Sequence, residues 1–171
     1  MKIQPLSWKQ LGDVVSGRPN LGLYASVQIY RLLQYSMRVA MEDEWDEETA
    51  QRLLKKSGKI AGIAFAQEFI DKKLPLNRFL AQLQLKLEEL GIGILKIEKS
   101  NKNASQLIVT ISEDLDCSGL PVNGITVCDF DEGFMEGIFE YYTDKTYSVV
   151  EIDCWSTGDR TCRFKIDAVE A

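Results

Sequence analysis

The hydrophobic period of this chain changes at Gly91, and that change limits which elements each half can form. Before Gly91, apolar residues recur every three or four positions, the spacing of helices. Leu23, Val27, Tyr30, Met37 and Met41 take such steps between Leu21 and Met41, and Pro19 is placed to open that helix. A second helix is predicted from about Glu47 to Lys72, with Asp46 as its N-cap and Leu54, Ile63, Phe65, Phe69 and Ile70 along it. It also holds Gly58 and Gly62, four apart on one face. Each glycine costs a helix about 1 kcal/mol relative to alanine, so the pair points to close packing on another helix or a ligand. Pro75 ends this pattern. A third helix follows from Leu76 to Leu90, burying Phe79, Leu80, Leu83, Leu87 and Leu90, with Gly91 as its C′ residue.

After Gly91 the residues alternate. Ile92, Ile94 and LKIEK predict a strand, SNKN a turn, and Gln106 to Asp114 a second strand. One short helix interrupts the sheet, from about Phe130 to Tyr142. Its apolar side carries Phe130, Phe134, Ile138 and Tyr141, and its polar side Glu132, Glu136 and Glu140. TYSVVEIDC and TCRFKID close the chain as a hairpin around Ser156 to Asp159. The predicted class is α+β: N-terminal helices packed on an antiparallel sheet of about four strands, with one short helix inserted before the C-terminal hairpin. Residues 1–171 are expected to form one domain.

Composition narrows the function. A net charge of −6 is unsuited to nucleic-acid binding, which relies on clustered Lys and Arg. The acidic run Glu42 to Glu48 reads as a solvated loop with carboxylates at a helix N-terminus. No stretch is long and apolar enough to span a membrane. MKIQPLSWKQLGDVV has no signal-peptide pattern, so a cytoplasmic, reducing location is expected. There is no histidine, which excludes a histidine general base and histidine ligation of haem. No phosphate loop, dinucleotide fingerprint or Ser-His-Asp set occurs, and no catalytic residue is assigned.

Three of the four cysteines, Cys128, Cys154 and Cys162, fall in the last 45 residues. A turn centred on Gly158 would set Cys154 and Cys162 across from each other. Strict alternation would put Glu151 and Cys154 on opposite faces, so a shared site needs a bulge near Asp153. Cys128 stands at the start of the short helix, where a thiolate is favoured. Spacing alone leaves three readings open: a metal site, buried core thiols, or a Cys154–Cys162 disulfide.

The pattern Cys-x22-Glu-x2-Cys-x7-Cys, with Gly133 and Gly137 in the intervening helix and Gly158-Asp159 before the last cysteine, resembles the 4-vinyl reductase domain family over residues 106–168. The helical half is similar more loosely, through Gly58 and Gly62. The resemblance implies a fold shared with subunits of TRAPP tethering complexes and haem-based nitric-oxide sensors. It also implies a structural zinc held by Cys128, Glu151, Cys154 and Cys162, with Cys117 outside the set as an ordinary loop or core thiol. The family includes sensors of small aromatic hydrocarbons and a protein linked to bacteriochlorophyll vinyl reduction. The expected function is therefore binding or sensing of a small hydrophobic molecule. The alternatives are a TRAPP-like assembly module or an accessory of tetrapyrrole vinyl reduction.

A binding chamber between helices and sheet would draw its walls from Phe65, Phe69, Val109, Phe130, Phe134, Tyr147 and Val149. A sensor should hold a cavity of about 300 Å³ or more there, and a scaffold should be packed solid. Apolar residues spread well around the first helix, with Leu32, Leu33, Val39 and Ala40 outside its main stripe. That breadth predicts a symmetric homodimer through the first or second helix.

Overall fold

The computed structural model describes residues 6–101 and 104–169. After a 3-10 turn at Trp8–Leu11 and the one-turn helix α1 (Val14–Gly17) come three long helices: α2 (Val27–Glu44), α3 (Glu47–Phe69) and α4 (Leu76–Glu89). Strands β1 (Ile94–Ser100) and β2 (Gln106–Ser112) follow. Then come α5 (Asp129–Thr143), β3 (Tyr147–Asp153), a 3-10 turn at Trp155–Thr157, and β4 (Cys162–Ala168). The four strands make one antiparallel sheet in the order β1-β2-β4-β3. This is the predicted α+β arrangement. Lys102 and Asn103, half of the turn expected at SNKN, lie outside the described residues.

The helix limits have local causes. Asp46 caps α3 by accepting the Thr49 N–H at 2.6 Å, and Glu47 and Glu48 in the first turn complement the helix dipole. α2 starts six residues later than predicted. Ser26 is its N-cap and accepts the Ile29 N–H at 3.4 Å, so Pro19 does not open it. Pro19 sits in a separate turn, because Gly22 takes φ +71° and breaks any helix running through it.

Between α3 and α5 the backbones meet directly. A Cβ on Gly58 would lie 1.9 Å from the Phe130 carbonyl oxygen, and one on Gly62 2.1 Å from that of Phe134. From the other side, Gly133 and Gly137 give the same clearance to the carbonyls of Lys55 and Lys59. The glycine pair on α3 therefore serves a helix partner. In α5, Asp131 and every residue from Gly133 to Phe139 are buried. A helix buried all round is central to its domain.

The inner face of the sheet carries Leu107, Val109 and Ile111 from β2, Cys162, Phe164 and Ile166 from β4, and Tyr147, Val149 and Glu151 from β3. Phe79 of α4 joins them through Phe139, edge-on at 5.5 Å, and Tyr142, stacked at 3.8 Å.

The polar side of α5 faces the edge of β3. Glu132 accepts the Glu151 N–H at 2.7 Å, Glu136 that of Val149 at 3.1 Å, and Glu140 that of Tyr147 at 3.3 Å. Lys55 reaches Glu132 at 2.8 Å and Glu136 at 3.2 Å, and Lys59 reaches Glu140 at 2.7 Å. β3 is an edge strand, and these carboxylates cover the outward N–H groups that no strand pairs.

Candidate metal centre

The register of β3 against β4 shifts between Glu151 and Asp153. That irregularity is the bulge required for Glu151 and Cys154 to share one side, and both are buried. Cys154 leaves the strand into the 3-10 turn, and Thr157 Oγ1 accepts its N–H at 3.0 Å. Cys162 opens β4 opposite Ile111 of β2, so the two cysteines converge without forming a cross-strand pair. Cys128 is the N-cap residue of α5.

The fourth thiol also arrives here. Asp114 Oδ1 accepts the N–H groups of Asp116 at 2.9 Å and Cys117 at 3.1 Å, a local turn that aims Cys117 inward. All four sulfurs lie within 4.8 Å of one another, and all four residues are buried. The Sγ separations are 3.7 Å for Cys128–Cys162, 3.9 Å for Cys128–Cys154 and 3.0 Å for Cys117–Cys162. Sequence reasoning set Cys117 apart. The signal available was Asp114-Leu-Asp-Cys117, an aspartate three residues before a thiol.

Carboxylates border the sulfurs. Glu151 Oε2 accepts the Cys128 N–H at 3.2 Å, while its Oε1 and Asp131 Oδ2 are buried with no hydrogen-bond partner among the described residues. Burial, then the charge of Asp116, pushes Asp114 up to about 7. Burial likewise raises Asp116 and lifts Asp131 well above the carboxylate range. Glu151 goes up to about 8, through burial and then the Cys154 charge. Hydrogen bonds from Cys117, Cys128 and Cys162 pull the Cys154 thiol down, whereas Cys117, Cys154 and Cys162 push Cys128 up. Four soft sulfur donors in a dry corner could hold a metal ion.

The same loop seats α2. Tyr30 Oη donates to Asp116 Oδ1 at 2.8 Å and Gln34 Nε2 to Asp116 Oδ2 at 2.5 Å. Arg31 Nε reaches the Leu115 carbonyl at 2.7 Å, and Arg38 the Val127 carbonyl at 3.1 Å and the Asp129 carboxylate. With Tyr35, these residues form a stripe of donors at helical spacing, a signal that an apolar-stripe reading passes over. No residue of α2 is buried, and Ile29, Leu32, Leu33 and Val39 are each over 60% exposed. The helix turns its polar stripe inward and its apolar side out.

The seven expected chamber residues fall into two groups. Val109, Tyr147 and Val149 share the sheet face, are at most 2% exposed, and belong to the packed core. Phe65, Phe69, Phe130 and Phe134 form a row of rings. The Phe69–Phe65, Phe65–Phe134 and Phe134–Phe130 centroids are 5.1, 5.2 and 6.2 Å apart. At one end of that row an apolar groove of about 160 Å³ opens between α2 and the α3–α5 pair. Tyr30, Leu33, Gln34 and Met37 line it from α2, Leu54 and Ser57 from α3, and Phe130 from α5. Gln34 Oε1 is buried and has no hydrogen-bond partner among the described residues.

The vinyl-4-reductase domain profile matches residues 107–168, the stretch holding all four cysteines and Glu151. An uncharacterized protein of Methanocaldococcus jannaschii is 32% identical over 150 residues, covering 88% of this chain and 82% of that protein. This chain belongs to the vinyl-4-reductase domain family. The chain also resembles in fold the phenol-responsive sensory domain of the transcription activator PoxR with phenol. The TM-score is 0.62 at 15% identity, over 86% of this chain and 76% of that one. A trafficking protein particle complex subunit 3 from Naegleria fowleri, covalently bound to palmitic acid, gives a TM-score of 0.68 at 11% identity, over 84% of this chain and 95% of that one. At these identities the likeness to both structures is one of fold. Among the described residues of this vinyl-4-reductase domain protein, no helix is long and apolar enough to cross a membrane.

Proposed function

We propose that this vinyl-4-reductase domain protein is a small-molecule-binding module. It takes an apolar ligand of about one aromatic ring between α2 and the α3–α5 pair, is pinned by a structural zinc, and works as a homodimer. The groove under α2 carries the reading. Its roughly 160 Å³ falls short of the 300 Å³ or more expected of a sensor chamber, which limits the ligand to about the size of benzene, held elsewhere by an apolar cavity of about 150 Å³. Leu33, Met37, Leu54 and Phe130 supply the apolar walls, and Tyr30, Gln34 and Ser57 supply polar atoms for a hydroxyl or amine on the ring. The fold is one in which other proteins carry phenol and palmitic acid.

A ligand in this groove would wedge against a helix held mainly by hydrogen bonds to the Asp114–Asp116 loop, so occupancy would be felt as a shift of α2. The exposed apolar side of α2 suits a second copy of the chain, which would transmit that shift between subunits. Cys128, Cys154 and Cys162 are three of the zinc's four ligands. Its role is structural, fixing the loop, α5 and the terminal hairpin to one another.

Thermal unfolding with single-ring aromatics such as phenol and toluene tests the reading. A ligand binding only the native state raises Tm with concentration. Met37→Trp, which fills the groove from a half-exposed position, is expected to abolish that shift while zinc content stays the same. Should no such compound raise Tm of the wild type, the assembly-module reading replaces this one, since the exposed face of α2 serves it equally well.

A further inference from the structure

We infer that Cys117, not Glu151, is the fourth metal ligand, so that this chain holds its ion in an all-sulfur set of Cys117, Cys128, Cys154 and Cys162. The inference rests on the zinc reading above and changes its donor set.

Regular tetrahedral coordination with zinc–sulfur bonds of about 2.3 Å places neighbouring sulfurs about 3.8 Å apart. The Cys128–Cys162 and Cys128–Cys154 separations, 3.7 and 3.9 Å, already match that edge. Cys117 lies nearer still to Cys162, at 3.0 Å, and has only to move outward to complete the figure. All four sulfurs lie within 4.8 Å of one another, so small side-chain adjustments suffice to bring them onto one ion.

Glu151 is the rival donor, through its orphaned Oε1. A four-coordinate site leaves one of five donors outside, and zinc favours thiolates over a carboxylate where both are offered. Glu151 also has another task. Its Oε2 accepts the Cys128 N–H, and its own N–H is held by Glu132. Those contacts suit a residue that orients a ligand.

The choice of donor has a structural consequence. With Glu151 the ion would join the start of α5 to β3 and β4. With Cys117 it also joins the loop after β2, whose Asp116 seats Tyr30 and Gln34 of α2. Metal occupancy is then linked to the position of the helix that forms one wall of the groove.

X-ray absorption at the zinc edge on the full chain, purified reduced, reads the donor set directly. The expected first shell is four sulfurs at about 2.3 Å. Glu151→Gln should keep that shell, and Cys117→Ser should replace one sulfur by a lighter atom or lower the zinc content. Cobalt substitution gives a second readout, because the visible bands of the ion differ between four thiolates and three. A wild-type shell of three sulfurs and one oxygen, lost in Glu151→Gln, overturns the inference and leaves the zinc reading intact. Absence of stoichiometric metal overturns both. An intact mass short by two hydrogens, mapped to a Cys117–Cys162 disulfide in reduced-purified protein, also overturns it.

Discussion

Gly133 has no room for a methyl group: an added Cβ would lie 1.8 Å from the Lys55 carbonyl oxygen. Backbone cannot step aside as a flexible side chain can, so Gly133→Ala must push α5 off α3. That overpacking is expected to cost about 3 kcal/mol or more, read as a drop in the urea midpoint. Gly91→Ala offers a contrast, since nothing lies within 4 Å of its Cβ position and only its φ of +66° resists. A loss of about 1 kcal/mol is expected there. At the sulfur corner, Cys162→Ser removes a donor common to either ligand set. Elemental analysis should find its zinc content reduced, with a lower Tm that added chelator no longer changes. Chelation of the wild type should bring its Tm down towards the variant's. The resemblance to the 4-vinyl reductase domain family, not spacing alone, implied Cys128, Glu151, Cys154 and Cys162 as ligands. Cys117 was missed because its thiol reaches the corner through a loop whose course no periodicity reports, and only the local Asp114-to-Cys117 spacing hinted at its turn.

At the level of elements, β3 is protected by a helix instead of a fifth strand. Glu136 is buried, accepts the Val149 N–H and pairs with Lys55. Glu136→Ala leaves that edge N–H without its acceptor, a loss of about 1–3 kcal/mol by chemical denaturation. Glu136→Gln, which keeps an acceptor oxygen, should recover part of it. Unchanged stability in the alanine variant would mean that water replaces the carboxylate at no cost. In sequence the three glutamates of α5 marked only a polar side, because periodicity places residues on a face without saying what covers it. The bulge after Glu151 was foreseeable only conditionally: it follows if Glu151 and Cys154 share a site, and the register shift supplies it.

Across the whole molecule the open question is what covers α2. Leu32 and Leu33 are 67% and 62% exposed, while Tyr30, Arg31, Gln34 and Arg38 face the protein. Sedimentation is expected to give a dimer at micromolar concentration. Leu33→Glu should shift it to a monomer with unchanged zinc content and unchanged far-UV circular dichroism. Because Leu33 lies outside the core, loss of folding in that variant is not expected. A wild-type monomer of 19.4 kDa would refute the assembly.

The change of hydrophobic period at Gly91, the caps at Asp46 and Gly91, and the glycine pairs of α3 and α5 determined the α+β class, the element order and the helix–helix contact. These are local signals, set by backbone hydrogen bonding and side-chain spacing within a few residues, so one chain suffices to read them. Tertiary structure alone decided which residues meet across long separations. It brought Cys117 to Cys162, turned the α5 glutamates onto the edge of β3, and packed Val109, Tyr147 and Val149 into the core instead of around a chamber. It also set α2 with its polar stripe inward. Burial and partnership depend on how elements stack, and a periodic pattern records only that a face exists, not which neighbour it meets.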